Sequence, residues 1–276
     1  MQWQQENTFD TVAETYDREF TYTALGRELR AQVWQRLAAR FPAGSRVLEL
    51  NCGTGEDAVW LASRGVAVVA TDASQAMLAM AKQKTAGAPV ELAPLDLAQP
   101  QADFPPGSFD GAFSNFGGLN CVADLRPLAR ALSLWLKPSA ALILVVMGPL
   151  CLWEIVWHLM HLQPRTAFRR WARGGTEAHI GKRTLKVYYP WPGELACVFA
   201  PEFQVVQLRG LGVLLPPSHL GHLVERWPRT FERLARIERR LAAHSPATVL
   251  NDHYLLELER VTDDIPAYQP ATGPEG

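Results

Sequence analysis

Hydrophobic and polar positions follow two rhythms over the first half of the chain, short apolar runs and longer stretches with helical spacing. Residues 47–50 form an apolar run with one acidic residue, Glu49, near its end. Asn51-Cys52-Gly53-Thr54-Gly55 then turns the chain, residues 58–63 have helical spacing, and a second apolar run over 66–70 stops at Asp72. The pattern predicts a strand, a tight glycine loop, a helix and a strand. A third run over 90–95 precedes Asp96, and 108–115 reads as a fourth strand. Helices are expected over 28–41, where Leu29, Val33, Trp34 and Leu37 share a face, over 73–84 with Ser74 near its start, and over 122–136. Pro42-Ala43-Gly44-Ser45 ends the first of these just before the first strand. Strands alternating with helices in this way predict a doubly wound α/β sheet with ligand loops at the carboxyl ends of its strands.

The longest apolar stretch, 140–162, is about as long as a bilayer-spanning helix, but Gly148-Pro149 cuts it in two. Its first half, A-A-L-I-L-V-V-M, suits a buried parallel strand, while the second carries Glu154, His158 and His161 and suits a helix. No transmembrane span is expected. Beyond Met147 the periodicity changes, and an insertion is expected to begin. It should hold a helix over 151–162 with Trp153, Trp157 and Met160 on an apolar side, and a segment from Pro164 to Lys186 with seven basic residues against one acidic, Glu177. A strand over 184–189, a helix over 191–200, a strand over 203–208, a helix over 218–243 and an alternating strand over 253–260 complete the pattern.

Composition narrows the picture little. The chain has 276 residues, 48% hydrophobic and 20% charged, enough for one large core with an insertion, and its formal charge of −1 gives no general pull toward nucleic acid. Cys52, Cys121, Cys151 and Cys197 form no C-x-x-C pair, and the first residues, M-Q-W-Q-Q-E-N, lack the basic and apolar regions of a signal peptide. A reducing cytoplasm is the expected compartment.

Glycines at a strand-to-helix turn let a ligand approach bare backbone, and an acidic side chain ending the next strand can accept both hydroxyls of a ribose. A nucleoside-bearing cofactor follows, although Gly53-x-Gly55-x-x-Ala58 alone also fits the dinucleotide fingerprint. Glu49 before the glycines, Asp72 and Asp96 after successive strands, and S-F-D-G-A-F-S-N at 108–115 together resemble the class I S-adenosylmethionine (SAM)-dependent methyltransferases, over about residues 9–147. The opening F-D-T-V-A-E-T-Y-D at 9–17 is similar to that of the ubiquinone and menaquinone methyltransferase branch. The resemblance implies a Rossmann-like seven-stranded sheet with a lid inserted after the fifth strand. The expected organisation is an N-terminal helical cap (1–45), the SAM-binding core (46–148), an inserted lid or substrate region (149–189), the return of the core (190–260) and a flexible tail (261–276).

Carried over by position, the resemblance places Gly53 and Gly55 against the methionine part of SAM and gives Glu49 a water-linked or ammonium-facing role. It has Asp72 hold the ribose, Asp96 the adenine amino group, and the Asn115 carbonyl the ammonium, with Ala73, Met77 and Leu97 alongside. Asn51 stands where many relatives have glycine, and asparagine tolerates left-handed backbone. Tyr16 falls near the transferring methyl group, where it orients cofactor or substrate, or else packs Phe9 and Phe20 onto the first helix. With its product S-adenosylhomocysteine, SAM is the only cofactor implied.

For a general base the candidates are Tyr16, His158, His179 and His219, with His161, His222 and His253 also of suitable chemistry. Glu154, His158 and His161 share a helix face, but no H-E-x-x-H pattern is present and no metal is expected. Trp153, Trp157 and Tyr188 are expected to wall the acceptor site and Arg165 to meet an acidic substrate end or a membrane surface, unless these residues only dock the insertion or face water. Ser114-Asn115-Phe116-Gly117 replaces the N-P-P-Y-type motif of base-amino methyltransferases, so the expected acceptor is a small or lipid-like, partly apolar molecule. Transfer would be a direct displacement needing no protein nucleophile, in keeping with the absence of G-x-S-x-G. The alternatives are an NAD(P)-dependent oxidoreductase on the same loop, for which no Tyr-x-x-x-Lys pair occurs, and a SAM-binding protein without methyl transfer.

Overall fold

The computed structural model describes residues 8–181, 183–242, 244 and 248–262. The tail expected beyond residue 262 and the first residues of the expected cap lie outside the described residues.

Seven strands form one sheet: β1 (Arg46–Glu49), β2 (Ala67–Asp72), β3 (Val90–Pro94), β4 (Phe109–Ser114), β5 (Leu136–Met147), β8 (Phe203–Leu211) and β9 (His253–Arg260). Their order is β3-β2-β1-β4-β5-β9-β8. Strands β1 to β5 pair in parallel, and β9 runs antiparallel between β5 and β8. This is the doubly wound, Rossmann-like seven-stranded sheet that the sequence pattern and the resemblance imply.

Side chains on a strand alternate between faces, and two buried clusters follow that period. Leu48, Val69, Leu142 and Leu144 pack on one side with α5 (Arg126–Trp135) and α8 (Pro192–Phe199). Val47, Val68, Ala70, Ile143 and Val145 pack on the other with α2 (Ala24–Arg40), α3 (Glu56–Ala62), α4 (Gln75–Lys84) and α10 (Pro228–Leu241). The stripe Leu25, Leu29, Val33 and Leu37 buries one face of α2, a contribution on the order of 6–12 kcal/mol from area alone. This helix begins at Ala24, four residues before its expected first residue, capped by the Thr23 hydroxyl, which accepts the Gly26 N–H.

Two expectations are corrected. The single helix over 218–243 is instead a short turn, α9 (His222–Arg226) and α10, because Pro228 has no N–H to continue a helix and sits well at the first position of a new one. The insertion holds two strands, β6 (Thr176–Ile180) and β7 (Arg183–Val187), paired antiparallel, where only the second was expected. Gly181 at φ +58° opens their turn, and T-E-A-H-I before it was too short and too polar to read as a strand.

The insertion follows β5 with α6 (Leu152–Met160), α7 (Pro164–Ala167) and the β6–β7 hairpin, and it is tied back by Asn120. This wholly buried side chain donates to the carbonyls of Met147 (3.0 Å) and Tyr188 (2.6 Å) and accepts the Met147 N–H (2.9 Å). The remaining helix, α1 (Ala13–Tyr16), lies in the N-terminal segment over the strand ends. Asn120→Ala should cost about 2–4 kcal/mol, since it leaves one buried N–H and two carbonyls unpaired. Chemical denaturation with limited proteolysis would check it: a lower midpoint and new cleavage within 149–189 are expected, against an unchanged midpoint if Asn120 is only a spacer.

Candidate functional site

A cavity of about 540 Å³ lies at the carboxyl ends of β1 to β4 and is roofed by the N-terminal segment and by Leu185 of β7. The glycine loop forms its floor. Gly53 sits at φ +52° and its N–H donates to Asp72 Oδ2 at 2.9 Å, while the Ser74 N–H donates to Oδ1 at 2.9 Å. Asp72, the last residue of β2, is thus aimed into the cavity with both oxygens oriented by backbone. Burial pushes its carboxyl above the ordinary range, against the pull of the backbone N–H groups of Ser74, Gly53 and Ala73. The Ser74 hydroxyl caps α4 by accepting the Met77 N–H at 3.1 Å.

Of the residues expected to hold a cofactor, Tyr16, Asn51, Gly53, Asp72, Ala73, Met77, Asp96, Leu97 and Asn115 line this cavity. Glu49 and Gly55 do not. Gly55 (φ +84°) is instead needed for packing, since a Cβ there would come within 3.1 Å of Ala81 Cβ and 3.3 Å of Thr85 Cγ2. Asn51 is absent from the left-handed residues, so tolerance of that backbone is not why it stands here. Its side chain latches β1 to β4: Oδ1 accepts from the Ser114 hydroxyl (2.6 Å) and Nδ2 donates to the Asn115 carbonyl (2.6 Å). That carbonyl, expected to meet an ammonium, already accepts one bond.

The residues that sequence reasoning missed lie behind the glycine loop. Asp57, in the first turn of α3, accepts from Arg30 Nη1 (2.5 Å), the Trp34 indole N–H (2.6 Å) and Asn115 Nδ2 (2.8 Å). Arg30 lines the cavity, and among the described residues its Nε and Asn115 Oδ1 are buried without a hydrogen-bond partner. Nothing local points from Arg30 to Asp57, 27 positions on in the chain. Glu49, at 1% exposure, has neither carboxylate oxygen hydrogen-bonded among the described residues. Burial first, then the negative charge of Asp57, holds its carboxyl well above the usual range.

The N-terminal segment is fastened over the site by polar contacts. Asp10 Oδ1 accepts from the Ser74 hydroxyl at 2.5 Å, and Asp17 accepts from the Thr54 hydroxyl and Lys84 Nζ, both at 2.6 Å. Tyr16 lines the cavity and also packs on Phe20 at 5.9 Å, and Phe20 meets Phe116 at 5.2 Å. Burial, more than the neighbouring carboxylates, pushes the Tyr16 phenol up to about 12, against the pull of Arg30. It is a hydrogen-bond donor at neutral pH, not a base. Phe116, another missed cavity residue, adopts φ +45°, a strained conformation for a bulky side chain, with the Arg30 guanidinium 5.2 Å from its ring centre.

The other expected site residues lie away from the cavity. Trp153 and Trp157 are half-buried on α6, Arg165 is exposed on α7, and Tyr188 packs over Gly175 at the base of the hairpin. His158 is bonded to Gln163 (2.9 Å) and His179 to Thr184 (3.1 Å). His253 meets the Phe116 ring edge at 5.6 Å without lining the cavity, and the His219 and His222 side chains lie outside the described residues. Glu154 is buried and paired with Arg169 and Arg170.

Comparison with known proteins agrees with this geometry. Residues 47–139 match a family model described as a methyltransferase domain. The chain is 34% identical over 137 residues to the demethylmenaquinone methyltransferase of Clavibacter sepedonicus, covering 49% of this chain and 55% of that protein. It is 34% identical over 145 residues to the 2-phytyl-1,4-naphtoquinone methyltransferase of Synechococcus elongatus, covering 49% and 60%. The chain thus spans little more than half the length of these curated relatives. Among solved structures it is similar in fold to a SAM-dependent methyltransferase from Mesorhizobium loti (TM-score 0.55, 19% identity, 84% of this chain and 100% of that one). A methyltransferase from Streptomyces caelestis is similar too (TM-score 0.58, 16% identity, 93% and 99%). Residues 47–139 thus match a methyltransferase domain, and the fold is similar to that of solved methyltransferases, one of them SAM-dependent.

The isolated state of Glu49 yields a test. Because its folded carboxyl titrates above its unfolded one, the native state keeps a proton that the unfolded chain has lost. Between those two values stability should therefore fall as pH rises, by up to about 1.4 kcal/mol per pH unit. Glu49→Gln should flatten that slope and be neutral or stabilising near pH 7 in urea denaturation. A wild-type slope retained in the variant would assign it to another group.

Proposed function

We propose that this chain binds SAM in the cavity over the glycine loop and transfers its methyl group to a small, partly apolar acceptor of the quinone-like class. The observation that carries the reading is the pairing of Asp72, oriented by the Gly53 and Ser74 N–H groups, with Asp96 in one cavity of suitable size. Asp72 would accept the two ribose hydroxyls and Asp96 the adenine amino group. Arg30, with its unpaired Nε, is a cation suited to a carboxylate at the other end. The printed names of the relatives, demethylmenaquinone and phytyl-naphthoquinone methyltransferases, support the acceptor class.

SAM supplies a methyl on a sulfonium with a neutral thioether as leaving group. The protein's part is then alignment and exclusion of water. Tyr16, protonated, is available as a hydrogen-bond donor at the cavity wall, while Phe116 and Leu185 offer flat and apolar surface to an acceptor. No described histidine lines the cavity, so none of His158, His179 or His253 is retained as general base. The insertion over 149–189 is assigned a covering role through the hairpin, which also meets the N-terminal segment where Gly181 approaches Thr11.

Calorimetry with SAM, S-adenosylhomocysteine and NAD tests the cofactor: NAD binding with none for SAM would overturn the reading. Asp72→Ala should weaken SAM by about 1–3 kcal/mol in a folded protein. For the acceptor side, Leu185→Glu is expected to leave SAM affinity intact and to lower methylation of a naphthoquinol at least severalfold. Trp153→Ala and Trp157→Ala, away from the cavity, should keep the wild-type rate; the reverse outcome would return the acceptor walls to α6.

A further inference from the structure

Helix α6 is turned inside out relative to an ordinary surface helix. Leu152, Val156, Leu159 and Met160 are 43%, 46%, 43% and 71% exposed, and their spacing puts them within an arc of roughly 100°. Glu154, the one acidic residue of this helix, lies opposite at 1% exposure, held by Arg169 and Arg170. The next turn extends the apolar surface: Leu162 is 89% exposed at φ +57°, a left-handed position after the helix end where glycine is the usual residue. Phe168 and Trp171 meet at a tilt with ring centres 4.7 Å apart, 37% and 51% exposed, and the Trp171 indole donates to the Pro149 carbonyl, which fixes them beside the start of α6.

Charge says what covers this face. Residues 149–189 carry seven basic and two acidic side chains, a formal +5, while the whole chain is −1, leaving −6 for the rest. Arg165 and Arg173 are exposed within the same segment as the apolar side chains. A second copy placed face to face would bring two +5 segments together, since a two-fold interface meets itself. An apolar stripe on a short surface helix, followed in the chain by exposed arginines, has the chemistry of an interfacial anchor. No helix among the described residues is long and apolar enough to cross a membrane, so the contact is with a surface.

We propose that α6 and the Leu162, Phe168 and Trp171 side chains dock this protein on a bilayer bearing anionic headgroups. The aliphatic face enters the boundary between headgroups and acyl chains, and Arg165 and Arg173 meet the lipid anions. Docking stands apart from the methyl-transfer reading. If that reading also holds, the insertion that carries Leu185 onto the cavity rim meets the phase in which a lipid-like acceptor dissolves.

Flotation with phosphatidylcholine vesicles, with and without phosphatidylglycerol, tests it at low and high salt. The wild-type protein should float with the anionic vesicles and lose most of that binding in high salt. Leu159→Glu with Met160→Glu should cut vesicle partition about tenfold or more while SAM affinity, read by calorimetry, stays unchanged. Leu162→Gly is the second variant: glycine suits its φ, so thermal stability should hold or rise while partition falls. The proposal is overturned if the wild-type protein ignores anionic vesicles at low salt, or if these variants float equally well. It is also overturned if light scattering shows a wild-type dimer that the double variant breaks, for then the face belongs to a second copy. Absence of SAM binding would remove the function proposed above and leave the flotation result to decide docking.

Discussion

The buried Asp57 carboxylate is the contact on which the cavity depends, because it joins three separate parts of the chain at once. Arg30 and Trp34 reach it from α2, Asn115 from the end of β4, and its own backbone belongs to α3 just beyond the glycine loop. A charge so deeply buried is tolerable only with a cation and full hydrogen bonding, and removing one partner typically costs more than the pair contributes. The geometry of the cavity wall is therefore set by what satisfies Asp57. Glu49 stands close enough to feel that charge, and burial first, then that charge, raises its carboxyl well above the ordinary range.

The roof of the cavity is held differently. Lys84 Nζ bridges Asp17 (2.6 Å) and Glu56 (2.9 Å), with the Lys84 side chain 20% exposed, and Asp10 reaches the start of α4. Such half-buried ion pairs contribute modestly and weaken with salt, whereas α2 beneath is fixed by its buried aliphatic stripe. The N-terminal segment is therefore held less firmly than the helix beneath it. Tyr16 couples the two regimes, since its ring rests on Phe20 while its hydroxyl, raised by burial, lies near the Arg30 and Asp57 charges.

Much of this was legible in the sequence for a definite reason. Parallel strands buried on both faces leave short apolar runs, and each run here ends at a residue that the cavity uses, Asp72 and Asp96 above all. The strand over 253–260 was readable to its ends from the alternation of leucine and charged residues in L-E-L-E-R, although residues 253–258 are all buried in the sheet. What stayed hidden depends on partners distant in sequence. Asn51 reads as a turn residue until Ser114 and Asn115 are beside it, Gly55 as a cofactor contact until Ala81 packs on it, and Arg30 as a surface charge until Asp57 comes within reach. Trp153 and Trp157 stand out locally as bulky apolar residues, whereas the residue of the insertion that lines the cavity, Leu185, is placed there by a hairpin whose register local pattern does not reveal.

The orientation of α6 follows from electrostatics prevailing over the hydrophobic effect. Arg170, 6% exposed, donates to Glu154 (2.7 Å) and to the Asp252 carboxylate (2.6 Å) at the start of β9, and Asp252 is thereby held far below the ordinary carboxylate range. Rolling the helix to bury Leu152, Val156 and Leu159 would gain on the order of 5 kcal/mol from partial burial of three aliphatic side chains. It would also carry Glu154 into water and leave Arg170 deep in the fold with one carboxylate fewer, a loss of comparable or greater size. The Asp252 end of that network is fixed by the sheet, because the Gly148 N–H donates to the Asp252 carbonyl and the Asp252 N–H to that of Gly212. The core therefore dictates where Arg170 must sit, Arg170 dictates which face of α6 turns inward, and the aliphatic face is left outward as the consequence.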